Sequence, residues 1–96
     1  MTFSFADAEL KVLYEAGSGK LARRFPSDVV RAFFRVMLVI GSVGEARELR
    51  QFRGMRYHVL RGERTGQVAL RLNDQYRLIV TMQKDGLRII EITDYH

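Results

Sequence analysis

The chain has 96 residues, a formal net charge of +5, no cysteine and two histidines. This length predicts one domain, over residues 1–96, with one modest core, and the missing cysteines exclude a disulfide scaffold, a thiolate metal site and a cysteine nucleophile. The longest apolar run, residues 36–40, is far shorter than the roughly 20 residues that span a bilayer, and no signal-like segment begins the chain, so we expect a soluble, cytoplasmic protein.

The N-terminal half predicts two helices, over about residues 7–17 and 26–41. Apolar residues recur at helical spacing in both, and each pattern ends at a glycine, the residue that most easily closes a helix. The segment Ser4–Asp7 resembles a capping box ahead of the first helix. Short helical turns are expected near residue 21 and over residues 45–52.

After Gly54 the pattern changes to that of an antiparallel sheet. Four strands are predicted, over residues 56–61, 67–72, 76–82 and 87–93. Short turns at Asn73–Gln75 and Asp85–Gly86 join neighbouring strands, which makes them antiparallel. The fold class is therefore α+β, with two N-terminal helices packed on an antiparallel sheet of about four strands.

The turn lengths also predict which residues face each other across the sheet. A three-residue loop at 73–75 places Arg71 directly opposite Arg77, and a two-residue turn at Asp85–Gly86 places Arg77 opposite Asp94. Together with His96, these residues are expected toward one end of one sheet face. The pattern leaves open which face meets the helices.

The positive charge is concentrated in one third of the chain. From Arg47 to Arg77 there are eight arginines and three acidic residues, so this stretch alone carries +5. Such a field favours a polyanion such as nucleic acid, although a solvated basic surface is the alternative. Two arginines beside a carboxylate and an imidazole suit a phosphodiester, but the same groups suit an ion-pair network on an exposed face.

Three segments, residues 54–66, 72–79 and 94–96, resemble HigB-type toxins of the RelE/ParE superfamily. The first reads GMRYHVLRGERTG, the second LNDQYRLI and the third Asp-Tyr-His. The resemblance implies the toxin of a type II toxin–antitoxin pair, an endoribonuclease that cuts mRNA, typically in the decoding site of the ribosome, without a metal or other cofactor. It also implies a cognate antitoxin, usually a helix-turn-helix DNA-binding protein.

The resemblance assigns candidate site residues. The catalytic positions of the family correspond to His58, Asp94, Tyr95 and His96. The phosphate-contacting positions correspond to Arg77, with Arg61 and Arg64 as candidates in the loop, and the predicted strand pairing adds Arg71.

In this hypothesis one of His58 and His96 is the general base and the other the acid, while Asp94 orients or balances a histidine. Tyr95 packs on or hydrogen-bonds the nucleotide, or else it packs in the core. If residues 62–66 form a five-residue loop, His58 faces away from Arg71. A loop one residue shorter or longer, or a bulge, brings His58 to the same face as Arg71.

Two other functions share this fold. A ParE-like gyrase inhibitor does not cut RNA, and a non-catalytic RNA-binding module keeps the fold without the activity. Geometry distinguishes these functions, since His58, Asp94, His96 and Arg77 are expected to converge in an enzyme that cleaves RNA. Separately, the arginines at 47, 50 and 53 form either a ridge that contacts 16S ribosomal RNA or a solvated face.

Overall fold

The computed structural model describes residues 1–95, which form helices packed on a five-stranded mixed sheet. The elements are β1 (Phe3–Phe5), α1 (Ala8–Ala16), α2 (Lys20–Arg24), α3 (Ser27–Ser42), β2 (His58–Val59), β3 (Gln67–Arg71), β4 (Tyr76–Gln83) and β5 (Gly86–Asp94). Short 3-10 turns cover Ala46–Gln51, Arg53–Met55 and Gly62–Arg64. The strand order is β1-β5-β4-β3-β2, with β1 parallel to β5 and the other neighbours antiparallel.

The α+β prediction is confirmed, and the sheet has five strands rather than four. The additional strand is β1, which places Phe3 beside Leu87 and Phe5 beside Ile89. Its phenylalanines contact Tyr14 of α1, with ring centroids 5.3 and 5.5 Å apart. Three residues are too few to show an alternating pattern, so β1 has no sequence signal of its own.

The start of α1 differs from the predicted capping box, because Ser4 lies in β1 and Asp7 itself caps the helix. The Asp7 carboxylate accepts the Glu9 N–H at 2.7 Å at the start of α1, and Gly17 ends this helix with φ at 65°. The longest helix, α3, begins directly after Pro26 and continues to Ser42, one residue past the predicted Gly41. Among the described residues, every helix is too short or too polar to cross a lipid bilayer.

The hydrophobic core lies between the helices and one face of the sheet. That face carries Val68 and Leu70 of β3 opposite Val80 and Leu78 of β4, all nearly inaccessible to solvent. The helices contribute Leu10, Leu13, Val29, Phe33, Met37 and Ile40. The structure thereby determines which face meets the helices. The opposite face carries the alternate residues, and Arg71 lies opposite Arg77 there, as predicted.

The predicted register between β4 and β5 is wrong. Gln83 pairs with Gly86, so the turn is at residues 84–85 and the pairing beside it differs from the prediction by two residues. A bulge at Ile90 then reduces the difference to one residue. Arg77 therefore lies opposite Thr93, whereas Asp94 lies opposite Tyr76 on the other face.

The reason for the moved turn is a close approach between two strands. Gly86 has φ at 156°, and a Cβ there would overlap the Thr2 carbonyl oxygen. The same oxygen accepts the Leu87 N–H at 3.1 Å. Glycine is therefore needed at residue 86 for the close packing of β5 against the N-terminal strand, and not for the turn.

Candidate active site

An open cavity of about 410 Å³ lies on the sheet face away from the helices. Its walls are Arg56, Tyr57, His58, Arg77 and Tyr95. Three of these residues are candidate site residues: His58 begins β2, Arg77 lies at the start of β4, and Tyr95 directly follows β5. These strands belong to one sheet, with β3 between β2 and β4, so residues distant in sequence share one site.

The position of His58 follows from the length of the loop between β2 and β3. The Leu60 N–H donates to the Gln67 carbonyl at 2.9 Å, so residues 61–66 form a six-residue loop. This is one residue longer than the five-residue alternative. It pairs His58 with Ala69, on the face that carries Arg71 and Arg77, and the imidazole is exposed there.

Tyr95 reaches the same cavity because of the bulge at Ile90. After the bulge, each residue of β5 points to the face opposite the one it would otherwise take. Asp94 therefore points away from the face of the cavity, and Tyr95 points toward it. The Tyr95 N–H donates to the Gln75 carbonyl at 2.7 Å, which fixes the chain end. The Tyr95 ring is 46 % exposed and packs against Arg77 instead of entering the core.

Arg77 is the most constrained cation of the site. Its guanidinium lies 4.7 Å from the centroid of the Tyr95 ring and donates to the carbonyls of Asn73 and Tyr76. Partial burial lowers the pKa of Arg77, and the positive charge of Arg71 lowers it further. The group nevertheless stays protonated, since an arginine does not lose its charge in proteins. A partly desolvated cation held in this way attracts an anion.

Arg71 lies opposite Arg77 but is absent from the cavity wall. Its guanidinium contacts the Asp74 carboxylate at 2.6 Å, and its side chain lines a separate cavity beside α3. The hydrogen bond and charge of Arg71 lower the pKa of Asp74. The influence of Arg71 on the His58 cavity is therefore electrostatic, through its charge near Arg77.

The two loop arginines lie outside the cavity wall. Arg64 contacts the Glu91 carboxylate at 3.0 Å and donates to the Gln67 side chain at 2.8 Å. Arg61 is exposed directly before the 3-10 turn Gly62–Arg64. The structure thus places both on the loop that joins β2 to β3 and does not bring them into the cavity.

Asp94 is not brought together with His58. It lines a different cavity, of about 470 Å³, on the side of the sheet that meets α1 and α2, and its carboxylate accepts the Gln75 side-chain amide at 2.9 Å. His96 lies outside the described residues. Within residues 1–95, no three side chains of metal-binding types are grouped closely enough to hold one ion.

Two residues of the cavity wall, Arg56 and Tyr57, were not among the candidates. Arg50 stacks on the Tyr57 ring, with its guanidinium carbon 4.5 Å from the centroid. Strand alternation does not identify Arg56, because its backbone is left-handed, with φ at 45°, and it lies outside β2. No sequence signal identifies Tyr57 either.

Comparison with known proteins identifies the family and agrees with this fold. A family model for RelE-like toxins of the type II toxin–antitoxin system HigB matches residues 3–96. The chain is 32% identical to Toxin HigB-1 of Vibrio cholerae serotype O1, over 100% of this chain and 98% of the relative.

Two solved structures share the fold at low identity. One is in the YoeB-YefM complex from Staphylococcus aureus, at 17% identity and a TM-score of 0.63, covering 100% of this chain and 97% of that one. The other is a mutant of YafQ from E. coli, at 11% identity and a TM-score of 0.66, covering 98% of this chain and 92% of that one. The chain therefore belongs to the HigB-like family of RelE-like toxins, and it is an mRNA endoribonuclease toxin of a type II toxin–antitoxin system.

Proposed function

We propose that this toxin cleaves mRNA on the ribosome, in the cytoplasm, without a metal ion, at the cavity lined by His58, Arg77 and Tyr95. The observation that supports the proposal most directly is the convergence of an imidazole, a guanidinium and an aromatic ring from three separate strands. We further propose that its antitoxin is a helix-turn-helix DNA-binding protein.

The chemistry that suits these groups is attack by the neighbouring 2′-hydroxyl. A base takes the proton of the 2′-hydroxyl, its oxygen bonds to phosphorus, and the bond from phosphorus to the 5′-oxygen breaks. An acid then protonates the 5′-oxygen, which leaves a 2′,3′-cyclic phosphate and a 5′-hydroxyl. A histidine is suited to either proton transfer because its ordinary pKa, about 6.5, lies near neutral pH.

In this proposal Arg77 stabilises the charge that develops on the nonbridging phosphate oxygens. Its contacts with Asn73, Tyr76 and the Tyr95 ring hold it in place before the substrate arrives. Such preorganised donors are commonly the largest contribution to catalysis. Arg71 adds positive potential from the neighbouring strand, and Arg61 and Arg64 lie where the RNA strand would extend along the loop.

The second proton-transfer group in the proposal is His96, paired with His58. Asp94 orients or balances a histidine in this proposal, and its carboxylate lines the cavity beside α1 and α2 rather than the His58 cavity. Asp94 also positions the chain end, because its carboxylate accepts the side-chain amide of Gln75. The backbone hydrogen bond from Tyr95 to Gln75 holds the same segment.

Contact with the ribosome is the second part of the proposal. Arg47 and Arg50 lie three residues apart in the 3-10 turn Ala46–Gln51, where this spacing puts side chains on one side, and Arg53 begins the next turn. All three arginines are exposed. We propose that they bind the phosphates of 16S ribosomal RNA, a contact that needs no particular base sequence.

The test is a reconstituted translation reaction in which new mRNA 5′ ends are mapped after the toxin is added. We expect new ends inside coding frames only when ribosomes are present. His58→Ala, His96→Ala and Arg77→Ala should each lower the cleavage rate at least about 100-fold, whereas Lys11→Gln on α1 should leave it unchanged. A phosphorothioate at the cut site should show no rescue by manganese or cadmium if no metal binds that oxygen.

Other outcomes would overturn the proposal. Growth arrest without new mRNA ends, together with inhibited DNA supercoiling, would indicate a gyrase inhibitor. Binding to ribosomes by folded protein with no cleavage would indicate an RNA-binding module. Cleavage of free mRNA at the same sites and rate would refute the dependence on the ribosome.

A further inference from the structure

Arg56 has an unusual backbone conformation in the wall of the cavity. Its φ is 45° and its ψ 57°, and among residues 1–95 it is the only residue other than glycine with a positive φ. An L-amino acid keeps this conformation only where the surrounding structure imposes it. Here the 3-10 turn Arg53–Met55 does so, because Met55 is buried and the Arg56 N–H donates to the Arg53 carbonyl at 3.1 Å.

This conformation places the Arg56 side chain in the same wall as His58. The turn ends at Met55, β2 starts at His58, and the left-handed residue between them redirects the chain. The residue is exposed, and within residues 1–95 its guanidinium makes no hydrogen bond and no ion pair. A cation fixed through its backbone, but with donors unused, is available to a ligand.

The other arginines nearby are already engaged. Arg71 is paired with Asp74, and Arg77 is held by two carbonyls and the Tyr95 ring. The charge of Arg56 helps to lower the pKa of Arg77, so the two cations repel each other across the cavity. An anion between them would add two attractions that offset this repulsion. The Asp74 carboxylate acts on both arginines through its charge alone, since its hydrogen bond and salt bridge are with Arg71.

We propose that Arg56 and Arg77 bind one phosphate of the RNA strand together, with Arg77 as the fixed ligand and Arg56 as the second ligand from the β2 side. The inference rests on the proposed function, because it takes the cavity as the RNA site. Guanidinium groups suit this task because each presents two parallel N–H donors to phosphate oxygens. Arg56 would then touch the reacting group, as Arg77 does.

The test is an NMR titration of the arginine side-chain N–H groups with a dinucleotide that lacks the 2′-hydroxyl and is not cleaved. We expect the Arg56 and Arg77 signals to shift together with one dissociation constant. The same dinucleotide with an uncharged methylphosphonate linkage should shift neither. Arg56→Gly, which keeps the positive φ without strain, should weaken binding about tenfold, and Arg56→Lys should weaken it less.

The matched control is Arg23→Gln, an exposed arginine of α2 outside the cavity, which should leave the affinity unchanged. A shift of Arg77 alone, no shift of either arginine, or equal affinity of Arg56→Gly and the wild type would each overturn the proposal. If both arginines shift but the toxin cuts no mRNA on ribosomes, the phosphate site stands and the proposed function fails. The phosphate site and the proposed function can therefore be refuted independently of each other.

Discussion

Tyr95 is the residue whose position depends most on details of the fold. Its ring packs against the Arg77 guanidinium at 4.7 Å, and this contact exists only because the bulge at Ile90 turns Tyr95 toward the cavity. An exposed contact of this kind contributes about 0.5–1 kcal/mol. Its larger effect is on geometry, because the ring limits the directions in which Arg77 can point.

We therefore predict that the ring of Tyr95, rather than its hydroxyl, supports cleavage. Tyr95→Phe keeps the stacking surface and should retain the cleavage rate within about threefold. Tyr95→Ala frees Arg77 and should lower the rate about 10–100-fold, as expected when a catalytic group loses its position. Single-turnover cleavage on programmed ribosomes measures both. A large loss in Tyr95→Phe would show instead that the hydroxyl bonds to the substrate.

A second prediction at this scale concerns Asp74 and pH. Arg71 lowers the pKa of the folded-state carboxyl below its ordinary value of 3.8, so the ion pair stabilises the protein above that value. The contribution is lost as the pH falls through the lowered folded-state pKa. Asp74→Asn should thus be slightly less stable than the wild type at pH 7, and the difference should vanish in strong acid.

The measurement is the urea midpoint of both proteins between pH 7 and pH 2. Asp85→Asn is the matched control, because Asp85 also lies in a hairpin turn but forms no salt bridge among the described residues. A stability difference for Asp74→Asn that stays constant down to pH 2 would contradict the assignment. The effect is expected to be small because the carboxylate is exposed.

At the scale of the elements, the parts with strong local signals could be predicted. The helix ending at Gly17 and the pair of Arg71 with Arg77 follow from capping and from turn length. The strand β1 could not be predicted because it is too short to show a period, nor could the bulge at Ile90. A bulge adds one residue without a sequence marker, yet it decides which side chains share a face.

The same limit applies to the site. Arg77 and His58 line one cavity, and Arg77 lies opposite Arg71, as the length of the turn between β3 and β4 predicts. The predicted grouping of Arg77 with Asp94 is wrong because the bulge at Ile90 reverses the facing of the residues that follow it, which places Asp94 on the opposite face. Side chains of residues far apart in sequence decide such contacts, and local patterns contain no information about them.

The role of Gly86 can be tested directly. Gly86→Ala should destabilise the protein by at least about 3 kcal/mol, since the new methyl group would overlap the Thr2 carbonyl oxygen and separate β1 from β5. Gly66→Ala is the matched control. Gly66 also has a positive φ, 93°, but no atom lies within 4 Å of its added Cβ, so the cost should be only about 1–2 kcal/mol.

Urea denaturation of the two variants and the wild type gives both values. Amide exchange should also show earlier opening of β1 in Gly86→Ala, because the Leu87 N–H loses its partner in Thr2. Equal destabilisation of the two variants would mean that backbone strain, rather than the contact with β1, makes glycine necessary at residue 86.

Across the whole molecule, the sheet separates two kinds of surface. One face buries the apolar core under the helices, and the other carries Arg71, Arg77 and His58. The exposed arginines of the 3-10 turns extend this positive surface beyond the cavity, and the stretch from Arg47 to Arg77 holds the whole net charge of +5. Long-range attraction to a polyanion should therefore act on one side of the protein.

This distribution predicts how ribosome binding depends on salt. Changing both Arg47 and Arg53 to Gln should reduce the slope of log affinity against log salt by about 1.4–1.8, because each lost phosphate contact releases one counterion fewer. The pair Lys11→Gln and Arg23→Gln removes the same charge from α1 and α2 and should leave the slope almost unchanged. Ribosome binding measured from 50 to 200 mM salt distinguishes a local contact from an effect of net charge. An equal change of the slope in the two double variants would refute a contact surface at the 3-10 turns.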